Sequence, residues 1–123
     1  MTFLCRKKAE SESEKNEAKW GSLTWLASKE IGNCQEMTFG RVVIKKGMSN
    51  PRHAHGNCVE ILYLLKGKLE HTVDDKSVVM QAGDTLVASK GTMHNAINIG
   101  DEDADMIVAY SDGAREFELE NKS

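Results

Sequence analysis

In the stretch "GMSNPRHAHGNCVE", residues 47–60, two histidines and a glutamate (His53, His55 and Glu60) fall close together. Imidazole and carboxylate are donors that first-row divalent metals prefer. His53 and His55 are two apart, so on an extended chain both rings point to one face. Glu60 heads "EILYLLKG" and shares its face with Leu62 and Leu64. A carboxylate leading an inward-facing leucine row is a buried charge, and such a charge needs compensation. A divalent cation held with the two histidines supplies it; Arg52 or another side-chain cation is the alternative. A second block, "GDTLVASKGTMHNAIN" at 83–98, adds His94, on one face with Ala96 and Asn98. Three imidazoles and one carboxylate suit Mn, Fe, Co, Ni, Cu or Zn, and suit Ca or Mg poorly. A five- or six-coordinate metal in that set keeps open positions for carbonyl polarisation, a bound hydroxide or oxygen activation. The chain shows no Ser-His-Asp set, no Cys-x-x-Cys and no phosphate-cradling glycine loop. If it is an enzyme, the metal carries the chemistry.

The elements that must position these residues are short. From Leu23 to Tyr110 come apolar runs: "LTWLAS", "MTFGRVVIKK", "CVEILYLL", "KLEHTV", "SVVMQ", "TLVAS", "HNAIN" and "DMIVAY". Several alternate, and none keeps helical spacing long enough for a helix. Turn residues fill the gaps, as in "VDDKS", "QAGD", "SKGT" and "NIGDED". Connections this short demand antiparallel pairing, so the pattern predicts an all-β sandwich or barrel. Strict alternation past Leu64 would turn Lys66 and Lys68 inward. The turn or bulge at Gly67 must therefore shift the parity and give Leu69, His71 and Val73 the inward face.

Length and charge narrow the class. The 123 residues fit one domain, and 40% apolar content supports one modest core. A net charge of −3 gives no basic footprint for nucleic acid. No apolar run approaches a membrane span. The start, "MTFLCRKKAESE", places charge where a secretory signal would need apolar residues. Three scattered cysteines, Cys5, Cys34 and Cys58, read as reduced thiols in a cytoplasmic protein. Residues 1–19 are charged without an apolar period and read as a flexible arm, or as a fraying helix that orders against a partner. The barrel domain is expected over 20–118, with a polar tail at 119–123.

The two blocks resemble the two motifs of the cupin superfamily. The first reads Gly47, five residues, His53-Ala54-His55, four residues, Glu60, six residues, Gly67. The second reads Gly83, five residues, Ser89-Lys90-Gly91, two residues, His94, three residues, Asn98; Ser89 stands where proline is usual. The resemblance, to a small single-domain cupin, implies one antiparallel jelly-roll β-barrel with a metal inside. Its ligands by position would be His53, His55, Glu60 and His94. It also implies homodimers through an outer sheet, which suits the face of Ile61, Tyr63 and Leu65.

Other residues carry two readings each. His71 is a partner to a ligand or a proton carrier at the cavity wall, or a hydrogen-bonded core histidine. Glu60, released from the metal, is a lesser proton carrier. Arg52, beside the first ligand, is a receptor for a carboxylate or phosphate substrate, or pairs with an acidic neighbour. Cys58 shares the face of Glu60 and either approaches the metal or packs as a small hydrophobe, the reading favoured here. Met48 and Met93 line the mouth or fill gaps, and Trp20 and Trp25 anchor the core or a dimer, the reading favoured here, or offer a platform on which substrate stacks. Two functions follow. One is a metal-dependent enzyme on a small polar molecule, by dioxygenase-type oxygen chemistry or by isomerase or lyase chemistry on a keto acid or sugar. The other is a non-catalytic module that binds or senses a small ligand.

Overall fold

The computed structural model describes residues 3–121. These residues form one short helix, α1 (Lys8–Ser13), then eleven strands: β1 (Asn16–Ala18), β2 (Gly21–Ala27), β3 (Thr38–Ile44), β4 (His53–Ala54), β5 (Glu60–Lys66), β6 (Lys68–Val73), β7 (Lys76–Gln81), β8 (Thr85–Ala88), β9 (His94–Asn98), β10 (Ala104–Tyr110) and β11 (Glu118–Leu119). They build two antiparallel sheets, ordered β1-β2-β3-β10-β5-β8 and β11-β4-β9-β6-β7. Val42, Ile44, Leu62, Leu64, Leu69, Met106 and Val108 fill the space between them. This is the expected all-β jelly roll. No helix among the described residues is long and apolar enough to cross a membrane.

Period-two alternation decides which side chains face that core. β10 buries Ala104, Met106, Val108 and Tyr110 and turns Asp105, Ile107 and Ala109 outward. β5 buries Glu60, Leu62 and Leu64 and exposes Ile61, Tyr63 and Leu65. The parity shift at Gly67 is present: β6 beyond it buries Leu69 and His71. Gly67 has φ +100°, and a Cβ there would lie 2.9 Å from Ala104 Cα. Both facts require glycine at this turn. Gly40 serves packing instead: a Cβ there would sit 2.5 Å from Trp25 Cε3. Its bare backbone lets Trp25 lie against β3, edge-on to Tyr110 at 6.1 Å.

Both ends carry short regular elements. Within the charged N-terminal segment, residues 3–19 carry α1, with Arg6 ion-paired to Glu14 and Glu10, and β1, whose Asn16 pairs with Leu23 of β2. In the tail, β11 pairs antiparallel with β4, placing Leu119 opposite His53. Neither end has an apolar period; near neighbours in sequence hold α1 and β1, and β4, far back along the chain, holds β11.

Candidate metal centre

Strands from both sheets converge on one point. His53 of β4 is the direct cross-strand partner of His94 of β9. Glu60 opens β5 in the opposite sheet, and His55 follows β4. All four side chains are buried, and their nearest ligand atoms lie within 4.8 Å of one another.

Hydrogen bonds set the ring nitrogens. His53 Nδ1 lies 2.7 Å from the Pro51 carbonyl and His55 Nδ1 lies 2.8 Å from the Glu116 carbonyl. A carbonyl only accepts, so each Nδ1 carries the proton and each Nε2 keeps a lone pair. His94 Nδ1 lies 3.0 Å from His71 Nε2.

His55 Nε2, His94 Nε2 and Glu60 Oε1 are buried without a hydrogen-bond partner. Each of the two nitrogens is 3.2 Å from Glu60 Oε1. That is ion-pair distance without hydrogen-bond geometry, and an Nε2 that keeps its lone pair, as in His55, has nothing to donate. Buried acceptors facing one another are costly. A cation between them removes the conflict, and the donor set fits a divalent transition metal.

Electrostatics agree with that fit. Burial pushes His53, His71 and His94 each down to about 4, partly opposed by the Pro51 carbonyl at His53 and by Glu60 at the other two. These rings are neutral at pH 7, the form that ligates. Burial acts to raise the Glu60 carboxyl, but the facing imidazoles, His55 foremost, outweigh it and hold it below its usual range. Charged imidazoles pull hardest; a bound cation supplies the same pull with the rings neutral. Tyr110, register partner of Glu60, is driven up by burial and then by that carboxylate, so it stays a phenol.

The sign of the pH dependence follows. Unfolded, these histidines titrate near 6.5; folded, His53, His71 and His94 do so at about 4. Between those values the unfolded chain binds more protons, so stability rises with pH. The metal-free protein should hold full stability above about pH 6.5 and lose it progressively towards pH 4, by on the order of 1–3 kcal/mol per histidine. Thermal melts across that window check it; a flat profile contradicts it.

The cluster opens on a cavity of about 290 Å³, walled by Leu23, Val42, Leu62, Met106 and Phe117 and reached by His53, Glu60, His71 and His94. That size suits a small molecule. His71 is buried against His94, with the two rings stacked at 5.3 Å. Arg52 makes the acidic pairing that was one of its two readings. Its Nε donates to Glu120 Oε2 at 3.0 Å, Nη1 to Thr72 Oγ1 at 2.7 Å and Nη2 to the Asp74 carbonyl at 3.0 Å. Its fork is occupied, and it does not line the cavity. Cys58 packs in the core, Met48 and Met93 lie off the cavity wall, and Trp20 lies on it.

The sequence reading missed the C-terminal contribution. Phe117 stacks on His53 at 4.9 Å, Glu116 supplies the carbonyl for His55, and Arg115 joins the cavity wall. A lone aromatic inside the polar run "REFELENKS" is the one signal that points there. A backbone carbonyl leaves none.

Fold and centre together define a small jelly-roll protein built to hold a metal. The chain belongs to the cupin domain family, whose sequence model matches residues 40–110. Germin-like protein 3-5 of Oryza sativa subsp. japonica is 32% identical over 87 residues, 64% of this chain and 38% of that protein. Oxalate oxidase 2 of Hordeum vulgare is 30% identical over 95 residues, 71% of this chain and 41% of that protein. The chain thus spans about two fifths of these relatives' length. A solved oxalate oxidase superposes with TM-score 0.76 at 25% identity, over 85% of this chain and 57% of its own. Oxalate decarboxylase of Bacillus subtilis, a protein with Mn(II) centres, superposes with TM-score 0.79 at 23% identity, over 85% of this chain and 29% of its own.

Proposed function

We propose that this protein is a metal-dependent enzyme acting on a small polar organic molecule, a keto acid or a sugar, with His53, His55, Glu60 and His94 holding one divalent transition metal. The observation that carries the reading is the set of unpartnered buried Nε2 and Oε1 atoms converging at the wall of a small cavity. When bound, the metal supplies polarisation of a carbonyl or, if it is iron, copper or manganese, oxygen chemistry. The likeness to oxalate oxidase 2, an enzyme named for a small organic acid, supports the same reading. The chain's own residues set the conditions. The carbonyls of Pro51 and Glu116 fix the ring orientation of His53 and His55. With His94 offering Nε2, its Nδ1–H donates to His71 Nε2, and His71 then holds its own proton at Nδ1, an atom with no partner. His71 would exchange a proton with a bound molecule, a role its unpartnered Nδ1 at the cavity supports, with Glu60 the lesser choice.

The test is elemental analysis of untagged protein beside the His53→Ala, His94→Ala double variant, with turnover assayed on keto acids and sugars. We expect about one equivalent of Mn, Fe, Ni, Cu or Zn, lost together with turnover in the variant. No metal, and none taken up on reconstitution, would sink the reading in favour of a ligand-binding barrel.

We also propose a homodimer through the outer face of the six-stranded sheet. Ile61, Tyr63 and Leu65 on β5 are 46%, 43% and 45% exposed, and Val87 on neighbouring β8 is 63% exposed. Ile61 is the register partner of Val87, so the row is continuous. Ile61→Glu should convert the dimer to monomer in size-exclusion chromatography with light scattering; a wild type already monomeric at micromolar concentration would refute it. The three thiols, all free, support a reducing, cytoplasmic setting.

A further inference from the structure

We infer that Arg115 makes this cavity select a small carboxylate over a neutral sugar or polyol, an inference that rests on the metal reading above for the ligand's other contact. The chain has four arginines. Three meet a carboxylate: Arg6 meets Glu14, Arg41 meets Asp105 and Arg52 meets Glu120. Arg115 meets none among the described residues, although it is partly buried. Its nearest polar contact is Nη1 at 3.4 Å from His55 Nδ1. That nitrogen already donates to the Glu116 carbonyl at 2.8 Å, so the contact joins two donors and satisfies neither.

Aromatic faces hold the guanidinium in place. Its carbon lies 4.4 Å from the Trp25 ring, 5.2 Å from Tyr110 and 5.3 Å from Phe117. Stacking fixes the plane of the fork through its π surface and leaves the N–H edge unspent. Arg115 also stands where two cavities meet. It lines the 290 Å³ cavity of the metal centre and a second, more open one of about 470 Å³ bounded by Trp25, Ser28 and Thr38.

Charge then decides the ligand class. Among the described residues Glu60 is the one carboxylate on the inner cavity wall. A divalent cation held by Glu60 and neutral imidazoles leaves one positive charge uncompensated, and Arg115 adds a second behind apolar walls. A carboxylate completes this arrangement by charge-assisted hydrogen bonds to the fork. A neutral sugar would leave the guanidinium unpaired, and a site whose polar groups stay unpaired discriminates strongly against that ligand.

Pyruvate and its neutral counterpart hydroxyacetone test this by isothermal titration calorimetry, on metal-loaded and metal-free protein, with metal content measured on each sample. Pyruvate should bind the loaded wild type at least about tenfold more tightly than hydroxyacetone. Arg115→Met, which keeps the stem over Trp25, should lose roughly 10- to 100-fold in pyruvate affinity, leave hydroxyacetone unchanged and retain its metal. Arg115→Lys, which keeps charge without the fork, should fall between and serves if the methionine variant does not fold. Pyruvate bound equally by wild type and both variants, hydroxyacetone bound as tightly as pyruvate, or no pyruvate binding at millimolar concentration would each overturn the inference. If the wild type takes up no metal, the metal reading fails alone: loss of pyruvate binding to metal-free Arg115→Met would still support the arginine's role, and retained binding would overturn it.

Discussion

Adding saturating Mn(II) or Zn(II) to the metal-free protein raises its melting temperature by roughly 10–20 °C, and Glu60→Gln abolishes most of that rise. The size follows from linkage: free metal at about a thousand times its Kd stabilises the folded state by about 4 kcal/mol. For a domain of this length each kcal/mol moves the midpoint by a few degrees. Glu60 is the informative position because it is the one charged ligand and is almost fully buried, at 4% exposure. Glutamine keeps its shape and an acceptor oxygen but removes the charge that offsets the cation. In the metal-free protein the imidazoles that hold the Glu60 carboxyl below its usual range lose that charge, while the amide gains a donor towards their lone pairs, so the variant should melt close to the wild type. Differential scanning calorimetry with and without metal separates the two effects. A variant that melts far lower without metal yet keeps the full metal-induced rise would make Glu60 a structural residue and not a ligand.

Deleting residues 116–123 should weaken metal binding by roughly 10- to 100-fold, the usual cost of removing groups that orient ligands. The deletion takes the Glu116 carbonyl from His55 Nδ1, the Phe117 ring from His53 and β11 from the edge of β4. It also strips Glu120 from Arg52. None of these residues belongs to the ligand cluster, so intact affinity after deletion would show that β4 holds its geometry unaided. Competition against a chelator of known affinity reads the change directly. Glu120→Gln alone should shift affinity far less, because Arg52 keeps Thr72 and the Asp74 carbonyl.

Those contacts also mark what could be read before folding and what could not. His53, His55 and Glu60 declared themselves because alternation is local: two histidines two apart, then a carboxylate heading a leucine row. Gly67 was legible for the same reason, since the lysines on either side could not both turn inward. For Arg52 the sequence left two readings open, because its acidic partner, Glu120, lies far along the chain, and adjacency to a ligand in sequence says nothing of where a long side chain is spent. Arg115 was invisible for the converse reason. Its value comes from Trp25, Tyr110 and Phe117 meeting around it, and from a carboxylate being absent. The helix α1 and strand β1 lacked an apolar period, being held by Arg6 ion pairs and by backbone pairing to β2.

β4 is two residues long, and its ladder with β9 consists of the single pair His53–His94. One pair is a weak seam for a strand that brings together residues some forty positions apart in sequence. A metal ligated from both sides of that seam acts as a cross-link, closing the long intervening loop as a disulfide would and making its reopening slower. Loading the centre therefore changes how often the barrel breathes as well as what it can bind: amide hydrogens of β4 and its neighbours on β9 become the slow exchangers of the metal-bound protein and the fast ones of the metal-free protein.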